Sequence, residues 1–143
     1  MRLELSSHLK VAKKKAAKDA LSKNLSELHR YKLEISYIGK DFYGFQRQAT
    51  GQSVQACLES ALEIILKHPV SIQASSRTDS GVHAFQQVAA FSTKVPYSSS
   101  WLASLNALTP RSIGIYKLDL VEDGFCPIKL SKAKIYRYQI HNY

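Results

Sequence analysis

The sequence predicts an α+β fold, in which two helices pack on one face of a mainly antiparallel sheet. Apolar and polar residues alternate over residues 31–37, the period of a half-buried strand, whereas over residues 54–66 apolar residues recur at helical spacing. Along the chain the predicted elements run strand, helix, strand, strand, helix, strand, strand. With 143 residues, of which 45% are hydrophobic, the chain can build the core of one domain.

The first strand is predicted from alternating apolar positions, namely Tyr31, Leu33, Ile35 and Tyr37. After a loop through residues 39–51, the first helix has apolar residues at helical spacing, namely Val54, Cys57, Leu58, Ala61, Leu62, Ile65 and Leu66. Glu59 and Glu63 are expected outside that apolar stripe. Because proline disfavours helix in the residue before it, Pro69 is expected to end the helix near Lys67 and His68.

The remaining elements are predicted from composition and from their boundary residues. Residues 70–74 and 87–93 suit strands, and Ser98–Ser100 offer caps for a helix through Trp101 and Leu108 that ends before Pro110. Two further strands are expected over residues 113–121 and 134–141. Both are rich in β-branched and aromatic residues, and residues 122–124 carry a turn signal between them.

The chain is expected to consist of a basic N-terminal helical extension, residues 1–30, and a domain of residues 31–143. The extension carries eight Lys/Arg against three Asp/Glu, a net charge of +5, whereas the domain carries twelve against eight, a net charge of +4. Residues 11–21 favour a solvated helix. The extension is interpreted as a solubility tail, as an artefact of the assigned start, or as an arm that contacts RNA.

The net charge of +9 favours a polyanionic partner, and nucleic acid is the natural candidate. Cys57 and Cys126 lie far apart and have no partner at metal-ligand spacing, which fits a reducing cytoplasm and predicts neither a disulfide nor a zinc site. We predict no metal and no cofactor. Neither a membrane-spanning run nor a secretory signal is expected.

The segment Arg77-Thr78-Asp79-Ser80-Gly81-Val82-His83-Ala84 is the most informative part of the sequence. It places a carboxylate two residues from a guanidinium, in a turn where Gly81 can adopt a positive φ, between two predicted strands. A nearby cation favours the ionised carboxylate that a nucleophile or base requires. Taken alone, however, the Arg77–Asp79 spacing also fits a purely structural ion pair.

This segment resembles the catalytic loop of the tRNA pseudouridine synthase A family, Arg-Thr-Asp-x-Gly-Val-His-Ala, and matches it at every fixed position. The resemblance covers residues 31–143 and corresponds to the family's N-terminal half, with a ferredoxin-like fold. It implies that Asp79 is the essential catalytic carboxylate and that Arg77 helps to hold the substrate nucleotide. Thr78, Gly81 and His83 are expected to shape the loop, and we assign His83 no acid–base role.

Residues 40–48 interleave three aromatic side chains with two cations and two amides, a composition that supplies stacking faces and phosphate donors to RNA. The alternative is that Phe42 and Phe45 anchor the loop to the core. The family has a similar aromatic-Gly-aromatic-Gln-Arg-Gln segment, followed by the Ser-Val-Gln string found here at residues 53–55. The resemblance therefore implies that Phe45, Gln46 and Arg47 bind substrate.

Tyr136-Arg137-Tyr138 is predicted to lie in the last strand, with both tyrosines on one face. By itself the string fits an ordinary aromatic pair with an exposed arginine. The family has a similar Tyr-Arg-Tyr string, and the resemblance implies that Tyr136 packs near the target base. Residues 106–110 resemble the family's Asn-Ala-x-x-Pro segment, for which a mainly structural role is expected.

The resemblance implies an isomerase that converts uridine to pseudouridine in the anticodon stem-loop of tRNA, at tRNA positions 38, 39 and 40. The implied partner is tRNA, and a homodimer is expected for the full-length protein. Two alternatives stay open, because residues 31–143 match only half of the family's length. They are a truncated, catalytically incomplete RNA-binding module, and an assembly domain that needs a partner chain.

Overall fold

A four-stranded antiparallel sheet organises the chain in the computed structural model, which describes residues 11–19 and 27–142. Its strands are β1 (His29–Tyr37), β2 (Gln73–Ala74), β3 (Ala84–Thr93) and β4 (Ile113–Val121), in the order β2-β3-β1-β4. The helices are α1 (residues 11–19), α2 (Val54–Leu66), α3 (Trp101–Leu108) and the short α4 (Pro127–Leu130), and Gly39–Asp41 form one 3₁₀ turn. This architecture confirms the predicted fold class.

Helices α2 and α3 share one core with the inner face of the sheet. Strand β3 lies between β1 and β2, which is the split β-α-β arrangement of ferredoxin-like folds. The side chains of β1 alternate between buried and partly exposed positions, as the sequence predicts. At the centre of the core, the Tyr31 ring lies 5.4 Å from the Phe91 ring and 5.3 Å from the Trp101 ring, measured between centroids.

Both ends of α2 follow the predicted signals. The Ser53 hydroxyl accepts a hydrogen bond from the Ala56 backbone N–H at 3.1 Å, which caps one of the free donors at the helix start. Lys67 ends the helix in the left-handed conformation, with φ 62°, before Pro69. At α3 the start is also as predicted, but Ser100 caps the helix without a side-chain hydrogen bond.

Strand β2 contains only two residues, not the five predicted over residues 70–74. The backbone of Ile72 is bound to side chains of α2: its N–H donates to Glu59 Oε1 at 2.9 Å, and its carbonyl accepts from Gln55 Nε2 at 3.2 Å. These backbone groups are therefore not used for strand pairing. Strand β3, in contrast, begins three residues before its predicted start, because Ala84 pairs with Tyr37 of β1.

The predicted strand over residues 134–141 is wrong, because residues 131–142 have no regular secondary structure and the short helix α4 precedes them. Tyr136 is 65% exposed, and Ile135, Tyr138 and Ile140 are more exposed still. Strand propensity reflects how well a side chain fits a pleated, half-buried surface. No neighbouring strand in the described part of the chain provides that surface, so the propensity has no effect here.

The outer face of the sheet carries a balanced charge cluster. Lys32 Nζ lies 2.8 Å from Glu34 Oε1 and 3.3 Å from Asp119 Oδ2, and Lys117 Nζ lies 3.3 Å from the same Asp119 oxygen. The hydrogen bond from Lys32 lowers the pKa of Glu34. Because two cations meet two anions, this cluster contributes nothing to the net positive charge of the chain.

Hydrogen bonds of the Asn106 side chain connect α3 to β4. Its side-chain amide donates to the Ile115 carbonyl at 2.7 Å, and its side-chain oxygen accepts from the Ile115 N–H at 2.9 Å. These bonds coincide with the irregularity in the β1–β4 register, where Tyr116 is left without a partner across the ladder. Asn106 therefore has the structural role expected for the residues 106–110 segment.

Residues 11–19 are helical and exposed. The rest of the predicted extension up to residue 26 lies outside the described residues, and β1 begins at His29, two residues before the predicted strand. Within the described ranges, no helix is both long enough and apolar enough to cross a bilayer.

Candidate active-site loop

The candidate site is the loop of residues 75–83, which connects β2 to β3 at the end of the sheet where β1 also ends. Its tip is a tight turn closed by a hydrogen bond from the Val82 N–H to the Asp79 carbonyl at 3.2 Å. Gly81, with φ 82°, occupies the turn position at which a type II turn requires a positive φ. The conformation predicted for Gly81 is confirmed.

A second loop, residues 38–53, lies against this one and holds it through backbone hydrogen bonds. The Phe45 N–H donates to the Thr78 carbonyl at 3.0 Å, and the Gly81 N–H donates to the Phe42 carbonyl at 3.4 Å. We call these two bonds the main-chain seam. They bind the residues on both sides of Asp79, so the position of its backbone is fixed independently of its own side chain.

Gly39 lies directly against Val82 and His83 of the candidate loop. A Cβ atom on Gly39 would lie 1.8 Å from the Val82 carbonyl oxygen, so only glycine fits at position 39. The Gly39 N–H donates to His83 Nδ1 at 3.2 Å. His83 therefore contacts the backbone of the neighbouring loop through a nitrogen that carries no proton.

Tyr37 supports the candidate loop from the core. The alternating strand pattern of the sequence did not indicate this role. Its ring is buried at the end of β1, and its hydroxyl shares a hydrogen bond of 2.8 Å with the Thr78 hydroxyl. Burial raises the pKa of Tyr37, so the phenol stays protonated at neutral pH. Thr78 is the residue between Arg77 and Asp79, so this bond anchors the chain at the point that joins them.

Replacing Tyr37 by phenylalanine is expected to lower the free energy of unfolding by about 1 kcal/mol, because a partly buried hydrogen bond is lost. Urea denaturation followed by circular dichroism measures the change. Tyr116→Phe is the matched control, since that hydroxyl lies on the exposed outer face and is expected to change stability by less than about 0.5 kcal/mol. Equal effects of the two substitutions would contradict the supporting role of Tyr37.

Asp79 and Arg77 are both exposed, and the ion pair considered from their spacing is not formed in the described structure. An ion pair in water contributes little energy, so exposure to solvent removes most of the reason for these two side chains to pair. The Asp79 carboxylate has no hydrogen-bond donor among the described residues and faces solvent. It is therefore accessible to a substrate, to which a carboxylate offers two oxygen atoms as hydrogen-bond acceptors.

The residues predicted to bind substrate in the second loop divide into two groups. Phe45 is 2% exposed and packs on the Tyr37 ring, with 6.2 Å between centroids, so its ring is part of the core, as the anchoring alternative expected. Gln46 and Arg47 are exposed. The aromatic ring that the loop presents to solvent belongs to Tyr43, which is 60% exposed and was not among the predicted site residues.

Arg47 is paired with Glu59 of α2. The Arg47 Nε and Nη2 atoms lie 3.0 Å and 2.8 Å from Glu59 Oε2. The expectation that Glu59 lies outside the apolar stripe of α2 needs correction, because Glu59 is buried. Its charge is tolerated there because both of its oxygens accept hydrogen bonds.

Tyr136 is not brought to Asp79 by any contact in the described structure. Two shallow cavities also lie elsewhere: one of about 260 Å³ includes Arg30 and Ser92 in its lining, and one of about 570 Å³ includes Tyr97 and Leu118. Neither touches the candidate loop. The described residues contain no group of three His, Cys, Asp or Glu side chains arranged to hold a metal ion.

The split β-α-β fold, with an exposed aspartate on an Arg-Thr-Asp-Ser-Gly-Val-His-Ala loop, is that of a family of RNA-modifying enzymes. The chain belongs to the tRNA pseudouridine synthase family, whose model matches residues 34–122. The enzymes of this family are isomerases. The match includes α2, the candidate loop and most of the sheet.

Three relatives, each named tRNA pseudouridine synthase A, illustrate the similarity. The protein of Dictyoglomus thermophilum is 40% identical over 115 residues, which cover 78% of this chain and 47% of that protein. Those of Tolumonas auensis and Aeromonas salmonicida are 42% and 44% identical, covering 79% and 80% of this chain but 44% and 43% of their own lengths. The chain thus spans about half the length of the curated relatives it matches.

Proposed function

We propose that this chain provides the catalytic aspartate of a tRNA pseudouridine synthase, with Asp79 as the essential carboxylate. The observation that carries the proposal is the accessible Asp79 side chain on a turn that the main-chain seam holds in place. A reactive group must be held rigidly while staying open to substrate, and this arrangement meets both requirements. The names of the relatives support the same reaction.

The reaction breaks the N1–C1′ bond of uridine, rotates the uracil and forms a C5–C1′ bond. The proton lost from C5 is balanced by the proton gained at N1, so the product is an isomer and no oxidant is consumed. Asp79 acts as a nucleophile toward the sugar or the base, or moves the proton that gives a glycal intermediate. Each of these roles requires the carboxylate of Asp79 within reach of the target nucleoside.

The target nucleotide must leave its stack, which costs a few kcal/mol. Exposed groups on both loops can offset this cost: the Arg77 and Arg47 guanidiniums can contact phosphates, Gln46 can bond to RNA and Tyr43 can stack on a base. Tyr136 is proposed to pack on the target base once RNA binding or another part of the protein brings it close to Asp79. Phe45 supports Tyr37 from the core instead of contacting RNA.

The finer substrate choice is proposed from the resemblance alone: uridines in the anticodon stem-loop, at tRNA positions 38, 39 and 40. The full-length enzyme is proposed to be a cytoplasmic homodimer. Incubating unmodified tRNA with the longest protein that contains this chain, and mapping pseudouridine by mass spectrometry, tests both the reaction and the positions. Unmodified uridines at all three positions after complete turnover elsewhere would contradict the anticodon assignment.

A second candidate, an RNA-binding module without turnover, is favoured by one observation. Asp79 lies on an open surface, not in the closed pocket that a detached uracil requires to avoid escape. For the 143-residue chain alone we expect weak tRNA binding whose dissociation constant rises about tenfold between about 50 and 200 mM salt, because phosphate contacts release counterions.

Fluorescence anisotropy with labelled tRNA measures this dependence, and mass spectrometry of the same samples measures turnover. We expect little pseudouridine from the isolated chain. A dissociation constant that does not change with salt would contradict a phosphate-driven contact, and full turnover would contradict the binding-module candidate.

A further inference from the structure

We propose that Glu59 is a positioning residue that holds the Arg47 guanidinium in place for an RNA phosphate. The inference rests on the proposed function, because it assigns a task to Arg47 in substrate binding. It concerns a helix residue that does not belong to either loop. Glu59 would act only through Arg47 and would not touch RNA itself.

Both side-chain oxygens of Glu59 have polar partners. Oε2 accepts a hydrogen bond from Arg47 Nε at 3.0 Å and lies 2.8 Å from Arg47 Nη2 in an ion pair. Oε1 accepts from Gln55 Nε2 and from the Ile72 N–H, at 2.8 Å and 2.9 Å. A buried carboxylate with three hydrogen bonds and an ion pair is fixed in position. It therefore provides a rigid anchor for the side chain of Arg47.

This contact leaves the outer edge of the Arg47 guanidinium available. A guanidinium has five N–H groups, and Nε and Nη2 contact Glu59, so the N–H groups of Nη1 stay without a hydrogen-bond partner among the described residues. The Arg47 side chain is 56% exposed, which fits a group that is held on one edge and open on the other. Two N–H groups on one edge match the geometry of phosphate oxygens.

The backbone of Arg47 is held by the same helix. The Arg47 N–H donates to Gln55 Oε1 at 3.0 Å, while Gln55 Nε2 bonds to Glu59 and to the Ile72 carbonyl. Gln55 and Glu59 thus connect Arg47 to the segment that leads through β2 into the candidate loop. Because an arginine side chain loses conformational freedom when it binds, holding it in advance lowers the cost of binding RNA.

A double-mutant cycle on tRNA affinity tests this inference, using the 143-residue chain and unmodified tRNA. Glu59→Gln keeps the shape but replaces an acceptor by a donor, so Arg47 or Ile72 loses its partner. We expect Glu59→Gln to weaken tRNA binding about fivefold when Arg47 is present and less than about 1.5-fold in an Arg47→Ala background. Arg47→Ala alone is expected to weaken binding by about the same fivefold factor.

Separate controls test whether Glu59→Gln acts through the change of charge or through the loss of folding. Glu63→Gln makes the same change of charge at an exposed position of the same helix, and is expected to leave affinity unchanged or slightly raised. Each variant is first checked by thermal denaturation. If Glu59→Gln is unfolded at the assay temperature, Glu59→Asp takes its place in the cycle, since it keeps the charge but is too short to reach both Arg47 and Ile72.

The outcomes separate this inference from the proposed function. A loss of the same size in both backgrounds would show that Glu59 acts on the fold in general, and would overturn the positioning role while leaving the proposed function standing. A parent chain that does not bind tRNA would overturn the role of Arg47 and the binding-module candidate, whereas turnover by the longest protein that contains this chain tests the catalytic role of Asp79 separately. A loss of tRNA affinity that occurs when Arg47 is present, but not in the Arg47→Ala background, supports the inference.

Discussion

Replacing Asp79 by asparagine is expected to reduce pseudouridine formation by at least about a thousandfold in the longest protein that contains this chain, while tRNA affinity changes by less than about twofold. Asparagine has the shape of aspartate but neither its charge nor its basicity. It can therefore neither attack a carbon atom nor accept a proton in the reaction. Binding is preserved because the contacts to phosphates come from other residues.

The structure explains why this substitution should leave the fold intact. The Asp79 side chain is exposed and has no hydrogen-bond partner among the described residues, and the bonds that shape its turn come from backbone atoms. The free energy of unfolding is therefore expected to change by less than about 0.5 kcal/mol. A loss of activity in a stable, tRNA-binding variant then reports on chemistry alone.

Single-turnover assays with mass spectrometry of the tRNA measure the rate, and Asp123→Asn is the matched control. Asp123 is exposed in the turn after β4, remote from the candidate loop in sequence, and its substitution makes the same change of charge. We expect that control to keep the parent rate within about twofold. Normal turnover by Asp79→Asn would show that another group performs the chemistry.

Replacing Gly39 by alanine is expected to lower the free energy of unfolding by about 3 kcal/mol or more and to displace the candidate loop. The new methyl group would meet the Val82 carbonyl oxygen at 1.8 Å, and a backbone oxygen cannot turn aside as a flexible side chain can. The two loops must separate, which also breaks the bond from the Gly39 N–H to His83. Activity should fall together with stability.

Gly124→Ala is the control for Gly39→Ala, since a methyl group at position 124 would meet nothing within 4 Å. It is expected to be neutral or slightly stabilising, because alanine restricts the unfolded chain more than glycine does. Urea denaturation compares the two variants, and hydrogen exchange at the Phe45 and Gly81 amides reports on the main-chain seam. Unchanged exchange at both amides in Gly39→Ala would contradict the close packing of the loops.

The regular elements could be predicted from the sequence where local pattern and tertiary packing agree. The helix α2 ends where Pro69 requires, and β4 occupies residues 113–121 as its composition predicts. The segment of residues 134–141 has equally strong strand composition but lacks a neighbouring strand. Pairing depends on residues distant in sequence, so local composition alone could not distinguish these two segments.

The candidate loop could be predicted from its residues, but the environment of its neighbours could not. The string around Asp79 identifies the family, whereas the burial of Phe45 depends on how the loop folds back over Tyr37. Glu59 is a similar case, because helical periodicity counts it as polar and exposed. Its burial follows from Arg47 and Ile72, twelve residues before it and thirteen residues after it.

The main-chain seam has a consequence for how such a loop can change over time or be redesigned. The bonds from Phe45 to Thr78 and from Gly81 to Phe42 join backbone groups, so they do not involve the exposed side chains around them. An exposed position such as Tyr43 can therefore be varied to alter which nucleotides are accommodated. The reactive group would keep its place while the surrounding surface acquires a new preference.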